Sequence, residues 1–266
     1  MLTFRSAALA AVLWLFGIPA LAHAQIDYRN LDDERPVQTE DAYVIERYAF
    51  ELMLPTFYEA ARLGSRRWLV APEMAYGILS DVQVGVKAPF AFTNETLTGD
   101  GFAGPRLFAL YNFNTEGGGL PAFLLRADLS LPFGALAGDT PQFTLKGVAT
   151  RSWGLTRAHL NVSRNFGRES GRGAVEAPSR WFGSLAVDRT LYRQSLLFIG
   201  ELTLQQNVQG ASVATAAGVG VRYQWTPTIV LDVGFARSID NGADHGVTVG
   251  VSHAFAIAGL LPRGGR

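Results

Sequence analysis

The chain contains no cysteine, which excludes disulfides and thiolate metal sites. Charged residues make up 17% of its 266 residues, below the roughly 25% typical of soluble domains. Lys+Arg and Asp+Glu both number 23, so the basic footprint of a nucleic-acid-binding protein is missing. After the first residues, no apolar stretch approaches the roughly 20 residues that a membrane-spanning helix needs. A chain this apolar without helical spans favours a transmembrane β-barrel.

The N-terminal residues have the pattern of an export signal. Residues 1–7 carry one positive charge, and residues 8–21 are apolar but shorter than a spanning helix. The Ala22-His23-Ala24 sequence then fits a small-x-small cleavage site. We predict a cleaved signal peptide over residues 1–24, with an uncleaved membrane anchor as the alternative.

Apolar residues then recur with a period of two, which predicts strands with one apolar face. Val82, Val84 and Val86, for example, alternate with more polar neighbours. The pattern predicts about twelve strands, an even number as in single-chain bacterial barrels. We expect these strands near residues 43–54, 67–76, 81–92, 103–113, 121–132, 142–152, 155–166, 180–189, 194–205, 212–225, 229–238 and 246–255.

The connections between these strands alternate between long and short. Outer-membrane barrels have short periplasmic turns and longer outside loops, so both termini are expected in the periplasm. Aromatic residues also recur near both strand ends, as the two membrane interfaces favour, although strands favour aromatics in any case. The short-turn set is Tyr76, Phe113, Trp153, Tyr192 and Trp225, and the opposite set is Phe90, Phe92, Phe133, Phe143, Phe166, Trp181 and Phe235.

Two tails flank the predicted barrel over residues 42–255. Residues 25–41 are rich in acidic residues, which predicts a solvated periplasmic tail. A plug inside the barrel lumen is the alternative for this segment. Residues 256–266 follow Phe255, the aromatic expected to end the last strand, as a C-terminal tail.

The polar positions of the alternating strands should face the lumen. They form either a conduit that selects solutes by charge or a network of ion pairs that fills a narrow barrel. The candidates for lining and selectivity are Lys87, Arg126, Asp128, Lys146, Arg157, His159, Glu201, Arg222 and Asp232.

Two turns predict the register of their strands. A two-residue turn at Trp153-Gly154 would place Lys146 opposite Asn161. A three-residue turn at 226–228 would place Trp225 opposite Ile229 and Arg222 opposite Asp232. From the second register we predict a direct ion pair between Arg222 and Asp232 inside the barrel.

Enzymatic motifs are weak in this sequence. The Gly-x-Ser-x-Gly motif of serine hydrolases is missing, and no histidine has a serine at a recognised spacing. Asp240, Asp244 and His245 could form a loop metal site, but they match no known ligand spacing, and a solvated loop is the simpler interpretation. We therefore predict no enzymatic activity, no cofactor and no metal.

Several stretches carry a resemblance to a known family. They are Gly99-Asp100-Gly101, Gly104-Pro105-Arg106-Leu107, LRADLSLPFG (125–134), RAHLNVSRNFG (157–167), residues 197–205 with Glu201, and GVGVRYQWTPTIVLDVG (218–234). Over residues 99–255 the chain resembles the MetA-pathway of phenol degradation family of outer-membrane transporters. The resemblance implies an outer-membrane barrel and the passage of apolar or aromatic compounds. Glu201, Arg222 and Asp232 match its charged strand positions.

The sequence as a whole predicts a monomeric, all-β, up-and-down antiparallel barrel in the bacterial outer membrane. Its expected function is a channel for small solutes. Its expected partners are outer-membrane lipid, the barrel assembly machinery during insertion, and a small-molecule solute, with no nucleic acid. Two alternatives stay open: a structural or envelope-interaction barrel with a filled lumen, and a soluble periplasmic β-sandwich or binding protein.

Overall fold

The computed structural model describes residues 25–60, 64–94, 99–167, 180–191, 195–206, 212–240, 244–257 and 260. The predicted signal peptide, residues 1–24, lies outside this part of the chain, as does most of the tail 256–266. No helix among the described residues is long and apolar enough to cross a membrane.

The described residues form sixteen strand segments. They are β1 (Ala49–Met53), β2 (Thr56–Ala60), β3 (Arg66–Val70), β4 (Glu73–Gly77), β5 (Val82–Lys87), β6 (Phe90–Thr93), β7 (Gly101–Phe102), β8 (Arg106–Asn112), β9 (Ala122–Ser130), β10 (Gln142–Trp153), β11 (Thr156–Asn165), β12 (Trp181–Leu191), β13 (Leu196–Gln206), β14 (Val213–Thr226), β15 (Ile229–Ser238) and β16 (His245–Ala256).

These segments close into one antiparallel barrel of twelve strands. Each of the first four barrel strands consists of two consecutive segments: β1–β2, β3–β4, β5–β6 and β7–β8. Both β1 and β2 pair with β16, so the ladder returns to its first strand. Closure pairs the first strand with the last, as a chain surrounded by lipid requires. Among the described strands, only the short β7 has a single strand partner, β6. The predicted twelve-stranded up-and-down barrel is confirmed.

Proline explains why the first four strands are interrupted. Proline has no N–H to donate to a ladder, and one proline lies in each of the four gaps. Each proline carbonyl still accepts a bond from the neighbouring strand, so the wall stays joined at this level. The bonds run from Ala71 to Pro55 (3.0 Å), Ala88 to Pro72 (2.8 Å), Ala103 to Pro89 (2.9 Å) and Leu131 to Pro105 (2.9 Å).

Both turn predictions need correction, although they place the residues on the right faces. Trp153 pairs with Thr156, and Lys146 therefore lies opposite Ser163 instead of Asn161. The turn is Gly154-Leu155, because Gly154 supplies the positive φ (63°) that two-residue hairpin loops favour. The shift is by two residues, and side chains keep their face.

The register predicted for the second hairpin is correct along the strands and wrong at the turn. Arg222 lies opposite Asp232, as predicted. Thr226, however, lies opposite Ile229, and the register shifts between Gln224 and Thr226. The loop is therefore two residues long, and Trp225 occupies a bulge instead of pairing with Ile229.

The outer surface of the barrel is apolar. Leu160 is 51% exposed and Leu202 is 53% exposed, and both point away from the lumen as the alternation predicts. Aromatic side chains are exposed near both ends, including Trp153 and Trp225 at the short turns and Phe133 and Phe166 at the long loops. An apolar surface with aromatic residues near both ends is the arrangement that the lipid core and the two membrane interfaces favour. Tyr192 lies outside the described residues.

Residues 25–45, hereafter the lumenal segment, run through the interior of the barrel instead of forming the expected solvated tail. Ile26, Leu31 and Val37 are buried against the wall. Backbone and side-chain groups of the segment bond to wall residues more than 100 positions away in sequence. The charge pattern suggested solvation because its counter-ions lie on distant strands.

Candidate functional site: the occupied lumen

The lumenal segment is held by apolar packing, by a notch in the wall, and by ion pairs. The apolar part places Ile26, Leu31 and Val37 against Leu197 and Ile199 of β13, with both wall side chains fully buried. Burying an aliphatic side chain of this size contributes roughly 1.5–3 kcal/mol. These wall positions face inward because β13 presents alternate residues to the lumen, and here the alternate residues are apolar.

Two glycines form the notch. Gly220 of β14 and Gly234 of β15 lie opposite each other on the lumenal face. A Cβ on Gly234 would lie 1.8 Å from the Pro36 carbonyl oxygen, and one on Gly220 would lie 2.7 Å from the Pro36 ring. Only residues without a side chain let the backbone of the segment approach the wall this closely.

Four cations on neighbouring strands form what we call the cationic patch: Lys87, Arg106, Arg126 and Lys146. Lys87 lies opposite Arg106 in the β5–β8 ladder, and Arg126 lies opposite Lys146 in the β9–β10 ladder. Like charges that face each other across strands are destabilising unless counter-ions separate them.

The segment supplies those counter-ions. Glu34 contacts Lys87 and lies 3.3 Å from Arg106. Glu40 lies 2.8 Å from Arg126 and 3.4 Å from Lys146. Asp33 contacts Lys146 and lies 3.7 Å from Arg126 and 3.8 Å from Arg106. From the wall, Asp128 accepts hydrogen bonds from Arg126 at 3.0–3.1 Å.

A second charged group surrounds Arg157. Its guanidinium lies 2.8 Å from Asp41 of the segment and 2.6 Å from Asp188 of β12. The His159 ring nitrogen lies 3.0 Å from the same Asp188 carboxylate, and its other ring nitrogen lies 2.9 Å from the Thr150 hydroxyl. Asp188 thus holds both a cation and an imidazole, and of these the Arg157 guanidinium contacts the segment.

The third group corrects the predicted ion pair. Although Arg222 and Asp232 are register partners, Arg222 lies 3.1 Å from Asp32 of the segment. Asp232 lies 3.3 Å from Arg35, also of the segment. The segment has entered between the two wall charges, so each is paired with a residue of the segment.

The described contacts between Glu201 and the segment are hydrogen bonds, without an ion pair. Its carboxylate accepts the backbone N–H groups of Gln38 and Thr39, each at 3.0 Å. It also lies 2.9 Å from the Thr39 hydroxyl, which in turn lies 2.8 Å from the Ser184 hydroxyl. Carboxylates that accept several N–H bonds form strong, well-oriented anchors.

The pKa values of the acidic groups in the segment are shifted in different directions. Burial alone would raise the pKa of Glu34, but Lys87 and Arg106 outweigh it and lower that pKa to about 2. Burial likewise opposes ionisation of Asp33, yet the neighbouring cations, Lys146 foremost, hold its pKa well below the usual range. For Glu40 the effect of burial prevails, and its pKa is raised.

All the lumen residues predicted from the sequence point inward and are at least nine-tenths buried. Apart from Asp128 and His159, each contacts the lumenal segment directly, and these two bond to Arg126 and Asp188. Sequence reasoning missed the partners in the segment and the glycine notch. Glycines in the middle of a lumen-facing strand pattern are the one signal that pointed to the notch.

Cavities lie on either side of the segment. The cavity at the long-loop end has a volume of about 660 Å³, and its lining includes Asp33, Glu34, Arg106 and Lys146. The cavity at the short-turn end has a volume of about 440 Å³, and its lining includes Tyr43 and Glu51. The two share no lining residue, and the segment lines both.

The loop considered as a metal site was expected to contain Asp240, Asp244 and His245, but His245 belongs to a strand. His245 is the first residue of β16 and its ring faces Phe235 at 6.4 Å, whereas residues 241–243 lie outside the described residues. Within the described part of the chain, no group of three His, Cys, Asp or Glu side chains could hold a metal ion.

Several solved structures that are similar to this barrel are outer-membrane channels. The COG4313 outer membrane channel from Pseudomonas putida F1 matches 85% of this chain and 100% of its own, at 12% identity and a TM-score of 0.57. The NanC porin matches 76% of this chain and 98% of its own, at 11% identity and a TM-score of 0.55. The KdgM porin in complex with disordered oligogalacturonate matches 77% and 99%, at 13% identity and a TM-score of 0.53.

These likenesses establish the fold of outer-membrane barrel channels. No family model and no curated protein matches the sequence, so the resemblance to the MetA-pathway family is not confirmed.

Proposed function

We propose that this chain is an outer-membrane channel for small solutes, closed at rest by its own lumenal segment. The observation that carries the proposal is the position of that segment between the cavities at the two ends of the barrel. The apolar outer surface and the fold shared with porins support a place in the outer membrane. Porins pass solutes through such a lumen without covalent chemistry, which supports a non-enzymatic role.

We further propose that apolar or aromatic compounds pass through the channel. The cavity at the long-loop end, which we call the outer cavity, supports this. Phe57, Leu69 and Phe182 form an apolar part of its lining. The family resemblance suggests the same class of solute. The apolar lining of this cavity would contact the apolar part of a solute, and its charged lining residues would contact any polar group.

A structural barrel with a permanently filled lumen is the second candidate. The observation in its favour is the apolar packing of the segment against Leu197 and Ile199, which resembles a protein core. The two candidates differ in one property: a channel must conduct when the segment is displaced, whereas a structural barrel has no pathway to uncover.

Gly234→Ala separates these candidates. The added methyl group would overlap the Pro36 carbonyl and should displace the segment without altering the outer surface. We expect a larger single-channel conductance in planar bilayers than for the wild-type protein. Gly200→Ala is the matched control, because a Cβ there meets no atom within 4 Å. A folded Gly234→Ala barrel that conducts no better than Gly200→Ala would favour the structural candidate.

A further inference from the structure

The cationic patch has more positive charge than its own wall can neutralise. Among the described contacts and register pairs, the wall carboxylates beside it are Asp128, bonded to Arg126, and Glu73, the register partner of Lys87. The lumenal segment adds three carboxylates, Asp33, Glu34 and Glu40, and without them the wall carboxylates named here are fewer than the four cations. Buried cations that lose their counter-ions are strongly destabilised.

This balance constrains how the channel can open. If the segment leaves the lumen, three carboxylates leave with it, and Lys87, Arg106, Arg126 and Lys146 are left with too few anions. Water alone compensates poorly in a narrow, partly apolar lumen. Opening is therefore favoured by any solute that brings carboxylates to the same positions.

Such a solute has access to the patch. Arg106 and Lys146 line the outer cavity of about 660 Å³, together with Asp33 and Glu34. A molecule that enters from the long-loop end thus meets the patch at the place where the segment's carboxylates are bound. The cavity accommodates a small organic acid.

We propose that the cationic patch is a binding site for small polycarboxylates, and that these solutes open the channel by replacing the carboxylates of Asp33, Glu34 and Glu40. The inference rests on the proposed channel function. The patch presents two cross-strand pairs of cations, so it matches a solute with two or three carboxylates better than one with a single charge. A solute that binds only the open state shifts the population towards that state.

The experiment is single-channel recording of the full mature chain with tricarballylate, a flexible tricarboxylate, and with glycerol and acetate as uncharged and singly charged comparisons. We expect tricarballylate to raise the open probability with saturation, and the other two to have little effect. Two variants then discriminate. The double variant Asp33→Asn with Glu34→Gln weakens only the binding of the segment to the patch, so a lower concentration of tricarballylate should open the channel. Lys146→Gln is added to that double variant, where Lys146 has already lost its Asp33 partner in the segment, so the change weakens mainly the binding of the solute and the half-saturating concentration should rise about tenfold.

Opposite shifts in these two variants are the signature of competition, because mere loosening of the segment would move both in one direction. Arg237→Gln is the matched control, since Arg237 lines the same cavity outside the patch. Heat-modifiable gel mobility verifies that each variant is folded. Variants that conduct but show no response to tricarballylate, or shift in the same direction, would overturn the polycarboxylate site and leave the channel intact. If no folded variant conducts, the proposed channel function itself fails.

Discussion

The Glu201 carboxylate accepts the backbone N–H of Thr39 at 3.0 Å and lies 2.9 Å from the hydroxyl of the same residue. One wall residue thus fixes both the backbone and the side chain of the lumenal segment. Hydrogen bonds to charged groups contribute about 1.5–3 kcal/mol each. The contact is therefore a principal anchor of the segment.

A double-mutant cycle on Thr39→Val and Glu201→Gln measures this anchor. We expect each single change to lower the free energy of unfolding in urea titrations by about 1–3 kcal/mol. The double variant should lose less than the sum, because the residues share one interaction. Thr203→Val, on the same lumenal face of β13, serves as the control and should be additive with Glu201→Gln. Additivity for Thr39→Val as well would show that the two residues act independently.

The facing of β13 gives a second prediction. Leu202 points outward at 53% exposure, whereas Thr203 lines the outer cavity. An arginine on the lipid side of a barrel costs about 2–4 kcal/mol at mid-membrane depth. Leu202→Arg should therefore destabilise the barrel by that amount in a folding titration in lipid vesicles, and Thr203→Arg by much less. The reverse ranking would mean that the faces are exchanged.

The response to pH follows from Glu34. Its pKa in the folded protein, about 2, lies below its ordinary value of 4.5. The ionised carboxylate therefore stabilises the docked segment above about pH 4.5, and this contribution is lost as the pH falls towards 2. We expect conductance to stay low from pH 7 to 5 and to rise only in stronger acid.

Glu34→Gln tests the assignment. A glutamine there cannot titrate, so the variant should conduct more at neutral pH and show a smaller rise in acid. The raised pKa of Glu40 acts in the opposite sense, since its protonation stabilises the folded form as the pH falls. An unchanged acid response in Glu34→Gln would assign the titration to another group.

The orientation of the barrel in the membrane is testable by labelling. Asp139 is exposed in the connection after β9, a long-loop position, and Thr115 is exposed in the connection after β8, a short-turn position. The chain has no cysteine, so each variant carries a single thiol. Asp139→Cys should react with an impermeant reagent on intact cells and Thr115→Cys should not. Labelling of only Thr115→Cys would invert the topology.

The wall of the barrel could be predicted from sequence because its pattern is local. Period-two alternation places Leu202 and Thr203 on opposite faces without knowledge of the rest of the chain. Turn parity likewise placed Arg222 opposite Asp232. The local pattern could not predict the partners of these two charges, Asp32 and Arg35. They lie nearly 200 positions away in sequence and belong to the lumenal segment.

The lumenal segment was the larger error, because the sequence favoured a solvated tail and offered the lumen plug only as the alternative. A run of acidic residues appears solvated when its neighbours alone are considered, and only the assembled wall reveals the buried cations that neutralise it. Gly220 and Gly234 occupy lumen-facing positions of the alternating pattern, but a missing side chain indicates a close approach without identifying what approaches.

The most direct test of closure by the lumenal segment is a reversible lock. The Thr39 and Ser184 hydroxyls lie 2.8 Å apart, so cysteines at both positions are placed to form a disulfide between segment and wall. Introduced together with Gly234→Ala, the pair should give a channel that is silent when oxidised and conducts when a reductant is added. Equal conductance in the oxidised and reduced states, with the disulfide verified by mass spectrometry, would contradict the account.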